Sequence, residues 1–339
     1  MDKRNLLLYI DIPFCPVHCK HCGKIACAPS SDLRHAYAQA LRKEIAASTE
    51  SFPDYEISAV YIGGGIPGHM MDEELGELLK DLSSWYNIAP DAEITLKVHP
   101  GMFSVETLNA CRRGHVTRLS IEYVTHNSFE HEMLGRFLSP SAMDVTHMIL
   151  GGSRLDLSFD IIAGLPGQTR TSLLESIKKA LSYGASHLSL YPFVLTPGTE
   201  LAEEYSAKQS YAAAKKPETD DTQAKDAADH PDHSLSWENP RKHIPNPEEV
   251  TAWLADVNDY LTSQDFTEYL PGRFSLSGKE CRYFMLESGG CESLAFGLGA
   301  ESAFDGVRSK NTASLKKYLQ YSDQPEKIIC HMEPIISFS

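Results

Sequence analysis

Short apolar runs recur along the first part of the chain, at residues 6–13, 57–63, 92–99, 116–124, 156–163 and 187–195. Each is rich in Leu, Ile, Val, Tyr or Phe and is bounded by turn-forming residues, as buried strands are. The stretches between them carry a helical period instead. In 32–47, Leu33, Tyr37, Leu41 and Ile45 recur every four residues, with Ser31 or Asp32 placed to cap the helix. In 72–86, Asp72 caps a face carrying Leu75, Leu78, Leu79 and Leu82. In 170–182, Leu173, Leu174, Ile177 and Leu181 form the stripe and Gly184 ends it. Six alternating strand-plus-helix units predict an α/β fold with a parallel sheet. Chemistry then belongs in the loops that follow the strands, as in barrels.

The alternation stops after Leu201. Residues 203–245 are rich in Lys, Asp, Ala, Pro and Ser and almost lack a hydrophobic period. Such a stretch reads as a polar linker or loop insertion unable to repay its ordering entropy, or as a partner-docking tail. Periodicity resumes at Pro247, where Val250, Trp253, Leu254, Val257 and Leu261 predict an amphipathic helix. A strand at 266–270 and a glycine-rich turn at 294–300 follow. The predicted organisation is an α/β domain over 1–202, the linker over 203–245, and a small α+β accessory region over 246–339.

Charge and composition narrow the chemistry. A formal net charge of −15 argues against a broad nucleic-acid footprint and leaves small-molecule chemistry as the default. No apolar run is long enough to span a membrane, and Met1 to Leu8 lack the apolar core of a signal peptide. Eight cysteines in such a chain suit a reducing cytoplasm.

Three of those cysteines, Cys15, Cys19 and Cys22, stand at the spacing C-x3-C-x2-C directly after the first strand. Thiolates favour soft metals and iron–sulfur clusters. Three of them leave one iron open, and an open metal position is characteristic of catalysis. A zinc loop completed by His18, His21 or Cys27 is the other reading. Gly63, Gly64 and Gly65 follow the second strand, where they let backbone approach a ligand or make a tight turn. Asp160, near the end of the fifth strand, is suited to accept hydrogen bonds from hydroxyls, or from loop amides. Cys111, Cys281, Cys291 and Cys330 are expected to be packing residues.

Together these segments resemble the radical S-adenosylmethionine (SAM) superfamily. Within it they are most similar to oxygen-independent coproporphyrinogen III oxidase and its heme-chaperone relatives. The likeness rests on Tyr9-Ile-Asp-Ile-Pro-Phe-Cys15, on Gly63-Gly-Gly-Ile-Pro67 and on Phe159-Asp-Ile-Ile-Ala-Gly-Leu-Pro-Gly-Gln-Thr169. It implies a partial (β/α)6 TIM-like barrel, with a [4Fe–4S] cluster on Cys15, Cys19 and Cys22 whose unique iron chelates SAM. It also implies cofactor contacts from Tyr9, His21, Gly63, Gly64, Gly65, Glu122, Arg136, Asp160 and Val194. Of these, His21 would stack on the adenine, Val194 lie near it, Asp160 hold the ribose, and Arg136 face the SAM carboxylate. The implied activity is an oxidoreductase that cleaves SAM to a 5′-deoxyadenosyl radical and acts on a tetrapyrrole or other small-molecule substrate. Its electron donor would be a flavodoxin or ferredoxin, and heme is a further candidate ligand. A non-enzymatic heme carrier and a radical SAM methyltransferase are the alternatives. No nucleic-acid or membrane partner is implied.

Two strands depart from the family. Its third strand ends Glu-x-Asn-Pro-Gly, and this chain has Lys97-Val-His99-Pro-Gly101. Its fourth reads Gly-Val-Gln where this chain has Glu122-Tyr-Val124. Ser120, Glu122 and Val124 share one face of a strand. A lone buried lysine is costly, so Lys97 is expected to pair with Glu122, the inward carboxylate having moved one strand over. The other reading is a drifted pocket that binds SAM poorly. Ile66 replaces a family threonine, Asp11 a frequent histidine, and residues 280–286 lack the histidine of the heme chaperones.

Overall fold

Strand alternation divides the first six strands into an apolar and a polar face, and the two faces have different fates. The strands are β1 (Arg4–Ile12), β2 (Tyr55–Gly64), β3 (Ile88–Val98), β4 (Arg118–Val124), β5 (Asp156–Ala163) and β6 (His187–Pro192). Each is parallel to the next. Ile10, Ile62, Leu96, Leu119, Phe159 and Leu188 are completely buried on the outer face. They pack in one core with Leu41 and Ile45 of α1 (Ser31–Ser48), Leu75 of α2 (Asp72–Trp85) and Leu173 of α6 (Arg170–Ser182). Each such burial stabilises by roughly 1.5–3 kcal/mol, and this outer layer fixes the register of the polar inner face. Between α2 and α6 lie α3 (Val105–Arg113), α4 (Ser128–Met133) and α5 (Ala142–Leu150). The computed structural model describes residues 4–335 apart from 16–17, 50–51, 53, 71, 137, 140 and 207–242. Of the polar stretch 203–245, residues 207–242 therefore lie outside the described residues, while 203–206 are helical.

Two caps differ from expectation. The α1 cap is Ser30, whose side chain accepts from the Leu33 amide, so Ser31 and Asp32 already stand inside the helix. Asp72 likewise stands inside the first turn of α2, where its carboxylate accepts the Thr107 hydroxyl at 2.8 Å and ties α2 to α3.

The accessory region feeds both edges of the barrel sheet. Its helix α7 (Pro247–Thr262) starts at a capping box between Asn246 and Glu249. The hairpin β7 (Thr267–Leu270) and β8 (Arg273–Ser275) joins β6 in antiparallel fashion. β9 (Ser293–Phe296) pairs in parallel with β1, and β10 (Glu301–Phe304), β11 (Val307–Asn311) and β12 (Ile329–Pro334) continue outward. The result is one sheet of 12 strands, ordered β12-β11-β10-β9-β1-β2-β3-β4-β5-β6-β8-β7. Residues 294–300 thus begin as a strand rather than a turn, because the apolar Leu294-Ala-Phe296 pairs along β1. Only Gly297 onward turns; its φ is +115°, and a Cβ there would lie 2.4 Å from the Asp11 carbonyl oxygen. The helix α8 (Arg282–Ser288) plugs the barrel interior, with Tyr283 packed on Leu7, Ala59 and Tyr61. Arg118 anchors its approach by pairing with Glu93 at 2.9 Å and donating to the carbonyls of Lys279 and Glu280.

Glu44 staples the accessory region to α1. Its carboxylate accepts from the Gly297 amide, the Asn311 amide group and the Tyr318 hydroxyl. Burial nevertheless pushes it up to about 7, the three donors only partly opposing. The folded value lies above the unfolded one, so this carboxyl's contribution is fully present below about pH 4.5 and is lost as pH rises through 7. Urea unfolding at pH 5 and pH 7.5 is expected to show wild type losing stability relative to Glu44→Gln, by about 2 kcal/mol.

Candidate functional site

The cysteine loop is closed at its base and hung from three sides. Cys27 donates its amide to the Pro13 carbonyl and accepts from the Cys15 amide, pinching the loop shut after β1. The amides of Gly65 and Ile66 bond to the carbonyls of Ile12 and Phe14, which joins the loop to the end of β2. Lys20 accepts from the Leu201 amide and donates to the Leu134 carbonyl, while its ammonium pairs with Glu200 and Glu204.

The glycine triplet exists for this approach. Gly64 has φ +97°, and a Cβ on Gly65 would lie 2.9 Å from Cys15 Sγ and 2.7 Å from the Phe14 carbonyl oxygen. The second clash is with backbone, so no rotamer change relieves it. Gly65→Ala is expected to displace Cys15 and lower the iron retained per chain after anaerobic reconstitution, measured against wild type.

A cavity of 330 Å³ opens between this loop and the barrel interior, walled by Cys15, Cys19, Cys22, His21, Gly64, Gly65, Glu122 and Arg136. Eight of the twelve predicted site residues therefore meet in one place. Four do not line it. Tyr9 faces an adjoining cavity, Gly63 lies under the Tyr9 and Tyr61 rings, and Asp160 reaches the site through Lys97. Val194 is 64% exposed and stands outside the lining. Lys97, His99 and Tyr191 line the cavity without having been predicted as contacts. The signal for them is period two: His99 lies two after Lys97, and Tyr191 two after the buried Ser189.

The charges in the cavity alternate. Arg136 donates to Glu122 Oε1 at 2.7 Å and lies 3.7 Å from Cys19 Sγ. Lys97 Nζ sits 3.8 Å from Glu122 Oε2 and 3.7 Å from Asp160 Oδ2, so the expected pair is present with a second carboxylate beside it. Asp160 Oδ2 also accepts from Ser120, whose hydroxyl accepts from Tyr61. Burial alone would raise Glu122, but Lys97 and Arg136 hold it at about 2. Burial would lower Lys97, but Glu122 and Asp160 hold it above its ordinary value. Burial, with Arg136 adding, pushes His21 down to about 4, so the ring is neutral at pH 7. Burial pushes Cys15 up to about 11, with Glu122 adding; binding a metal requires that proton to leave.

Several buried polar atoms at the site have no hydrogen-bond partner among the described residues: Arg136 Nε and Nη2, Asp160 Oδ1 and His21 Nδ1. Leaving such groups unmade costs about 1–3 kcal/mol each, more when charged. A ligand carrying a carboxylate would satisfy the two Arg136 atoms. Among the described residues no three His, Cys, Asp or Glu side chains are placed to share a single ion. A cuboidal cluster has no such need, since it offers a separate iron to each sulfur. Cys27 packs against the hydrophobic core rather than into the cavity. Cys111 and Cys281 are buried as expected of packing residues, whereas Cys330 is exposed, since it sits on the outer strand β12. No helix of the described residues is long and apolar enough to cross a membrane.

No family model matches the chain. It is 25% identical over 321 residues to the anaerobilin synthase of Escherichia coli O157:H7, covering 94% of this chain and 65% of that protein. It is 25% identical over 321 residues to the heme chaperone HemW of Synechocystis sp., covering 92% of this chain and 69% of that one. Among solved structures, coproporphyrinogen III oxidase (HemN) from Escherichia coli, a radical SAM enzyme, matches with a TM-score of 0.76 at 19% identity. That match covers 99% of this chain and 73% of the other. The chain thus has the fold of HemN and resembles the anaerobilin synthase and heme chaperone proteins in sequence.

Proposed function

We propose that this chain, built on the HemN fold, is a radical SAM iron–sulfur enzyme acting on a tetrapyrrole or other small-molecule substrate. Cys15, Cys19 and Cys22 would hold a [4Fe–4S] cluster, and the cavity beside them would hold SAM. The observation that carries this reading is the meeting at one cavity of three thiols with Glu122 and with Arg136, whose Nε and Nη2 lack a hydrogen-bond partner among the described residues. When bound, the two groups supply one-electron reductive cleavage of a sulfonium bond and hydrogen-atom abstraction from substrate.

The chain's own residues bind, orient and exclude. Arg136 offers its free guanidinium edge to the cofactor carboxylate. Glu122, ionised and fixed between Arg136 and Lys97, offers charge to the cofactor ammonium. Asp160 Oδ1 accepts from ribose hydroxyls, and Gly64 and Gly65 let backbone approach. The helix α8 and the C-terminal strands would close the barrel against water. The working division is a barrel over 1–202, a linker over 203–245 and an accessory region over 246–339, in a cytoplasmic protein served by a flavodoxin or ferredoxin.

The 25% identity to a heme chaperone over 92% of the chain favours one second reading, a heme carrier that does not turn over. Anaerobic incubation of reconstituted protein with dithionite and SAM separates the two. Multiple equivalents of 5′-deoxyadenosine per chain are expected of the enzyme; stoichiometric heme uptake with none would select the carrier.

A further inference from the structure

A second cavity, of 470 Å³, lies beside the first and shares Lys24, Ile25 and Gly64 with it. Its inner wall is Tyr9 and Asp11 of β1 together with Tyr283 and Glu287 of α8. Its rim includes Glu301 and Lys310 from the C-terminal strands. It therefore lies between the barrel and the accessory region and adjoins the first cavity.

The charges of this chamber are unbalanced. Lys310 is already engaged by Glu301 at 2.6 Å. Lys24 reaches only the Gly64 carbonyl, at 3.4 Å. The Asp11 carboxylate has no hydrogen-bond or ion-pair partner among the described residues. It sits close over Gly64, where an added Cβ would come 2.5 Å from Oδ1. Burial pushes Asp11 up to about 6, and the field of Lys24 opposes this only in part. The Tyr9 and Tyr283 rings, with centroids 6.4 Å apart, line the same chamber, and aromatic rings attract cations. A polycarboxylate entering here would set its charges against Asp11 and Glu287, with Lys24 the lining cation outside an ion pair among the described residues. A cation would relieve the partly buried carboxylate instead.

We propose that this chamber receives the substrate, and that the substrate carries a protonated amine on an aromatic or apolar body, with Asp11 as its counter-ion. The proposal rests on the reading that the adjoining cavity holds SAM.

Calorimetry on anaerobically reconstituted protein tests both, in separate arms. SAM is titrated first. Phenethylamine against 3-phenylpropionate, tryptamine against indole-3-propionate, and coproporphyrin III are then titrated with SAM present in excess. At least one amine is expected to bind tenfold or more tightly than its matched acid. Asp11→Asn is expected to erase that preference. The chamber assignment is overturned if no amine binds, if the amines compete with SAM, or if their affinity ignores Asp11→Asn. Tighter binding of the acids or of coproporphyrin III, lost in Lys24→Met, overturns it as well. Absence of SAM binding in the first arm would instead refute the cofactor reading, and the Asp11 dependence of amine binding would still decide the chamber.

Discussion

Anaerobic reconstitution of a variant with Cys15, Cys19 and Cys22 all changed to alanine is expected to yield protein without four-iron content and without charge-transfer absorbance. The three thiols line one wall of the cavity, and no other cysteine of the described residues does so. The nearest substitute in sequence, Cys27, has its amide and carbonyl committed to closing the loop, and its side chain packs on the core. Cys27→Ala is therefore the control, expected to retain wild-type iron and sulfide. Single replacements are expected to be nearly as damaging as the triple, since the cluster's geometry requires each corner and partial sets are exposed to exchange. Burial also raises the Cys15 and Cys19 thiols before binding, so neither is a preformed thiolate that could hold iron by itself. Full cluster content in the triple variant would refute the proposed site and, with it, every role assigned to the cavity.

Much of this was legible in the sequence because the relevant signals are local. The outer face of each strand is apolar and covered by a helix, so the alternation of β1 to β6 with α1, α2 and α6 follows from period alone. The Lys97–Glu122 contact followed from period two and from the cost of a lone buried ammonium. What was not legible depends on closure. β9 pairs with β1 across the length of the chain, Leu7 against Ser293, and no local pattern encodes that partner. Residues 294–300 therefore read as a turn. Asp160 as a second partner of Lys97 requires β3 and β5 to face each other over β4, which depends on barrel curvature. Lys24 was not legible for the same reason: its role comes from which loops meet above the strands.

The departure at Lys97 and Glu122 yields the other large expected effect. Glu122→Gln leaves Arg136 and Lys97 without their shared carboxylate, so two cations face an arriving ammonium and sulfonium. Removing one member of a buried charged set costs about 3–5 kcal/mol, and 1.4 kcal/mol is tenfold in affinity. Part of that cost falls on protein stability, so SAM affinity is expected to drop by roughly a hundredfold rather than by the whole amount. Lys97→Glu alone places three carboxylates around one guanidinium and is also expected to bind SAM weakly, through self-repulsion in the empty site. The combination Lys97→Glu with Glu122→Gln returns one inward carboxylate, now on β3, and is expected to recover most of the affinity. Anaerobic SAM titration of the four proteins closes a double-mutant cycle, and a thermal melt of each separates binding from folding. Two single losses with recovery in the double establish that the carboxylate's charge, rather than its strand of origin, is what the cofactor needs. Glu122→Gln binding SAM as well as wild type would show that Glu122 serves only to neutralise Lys97 and Arg136.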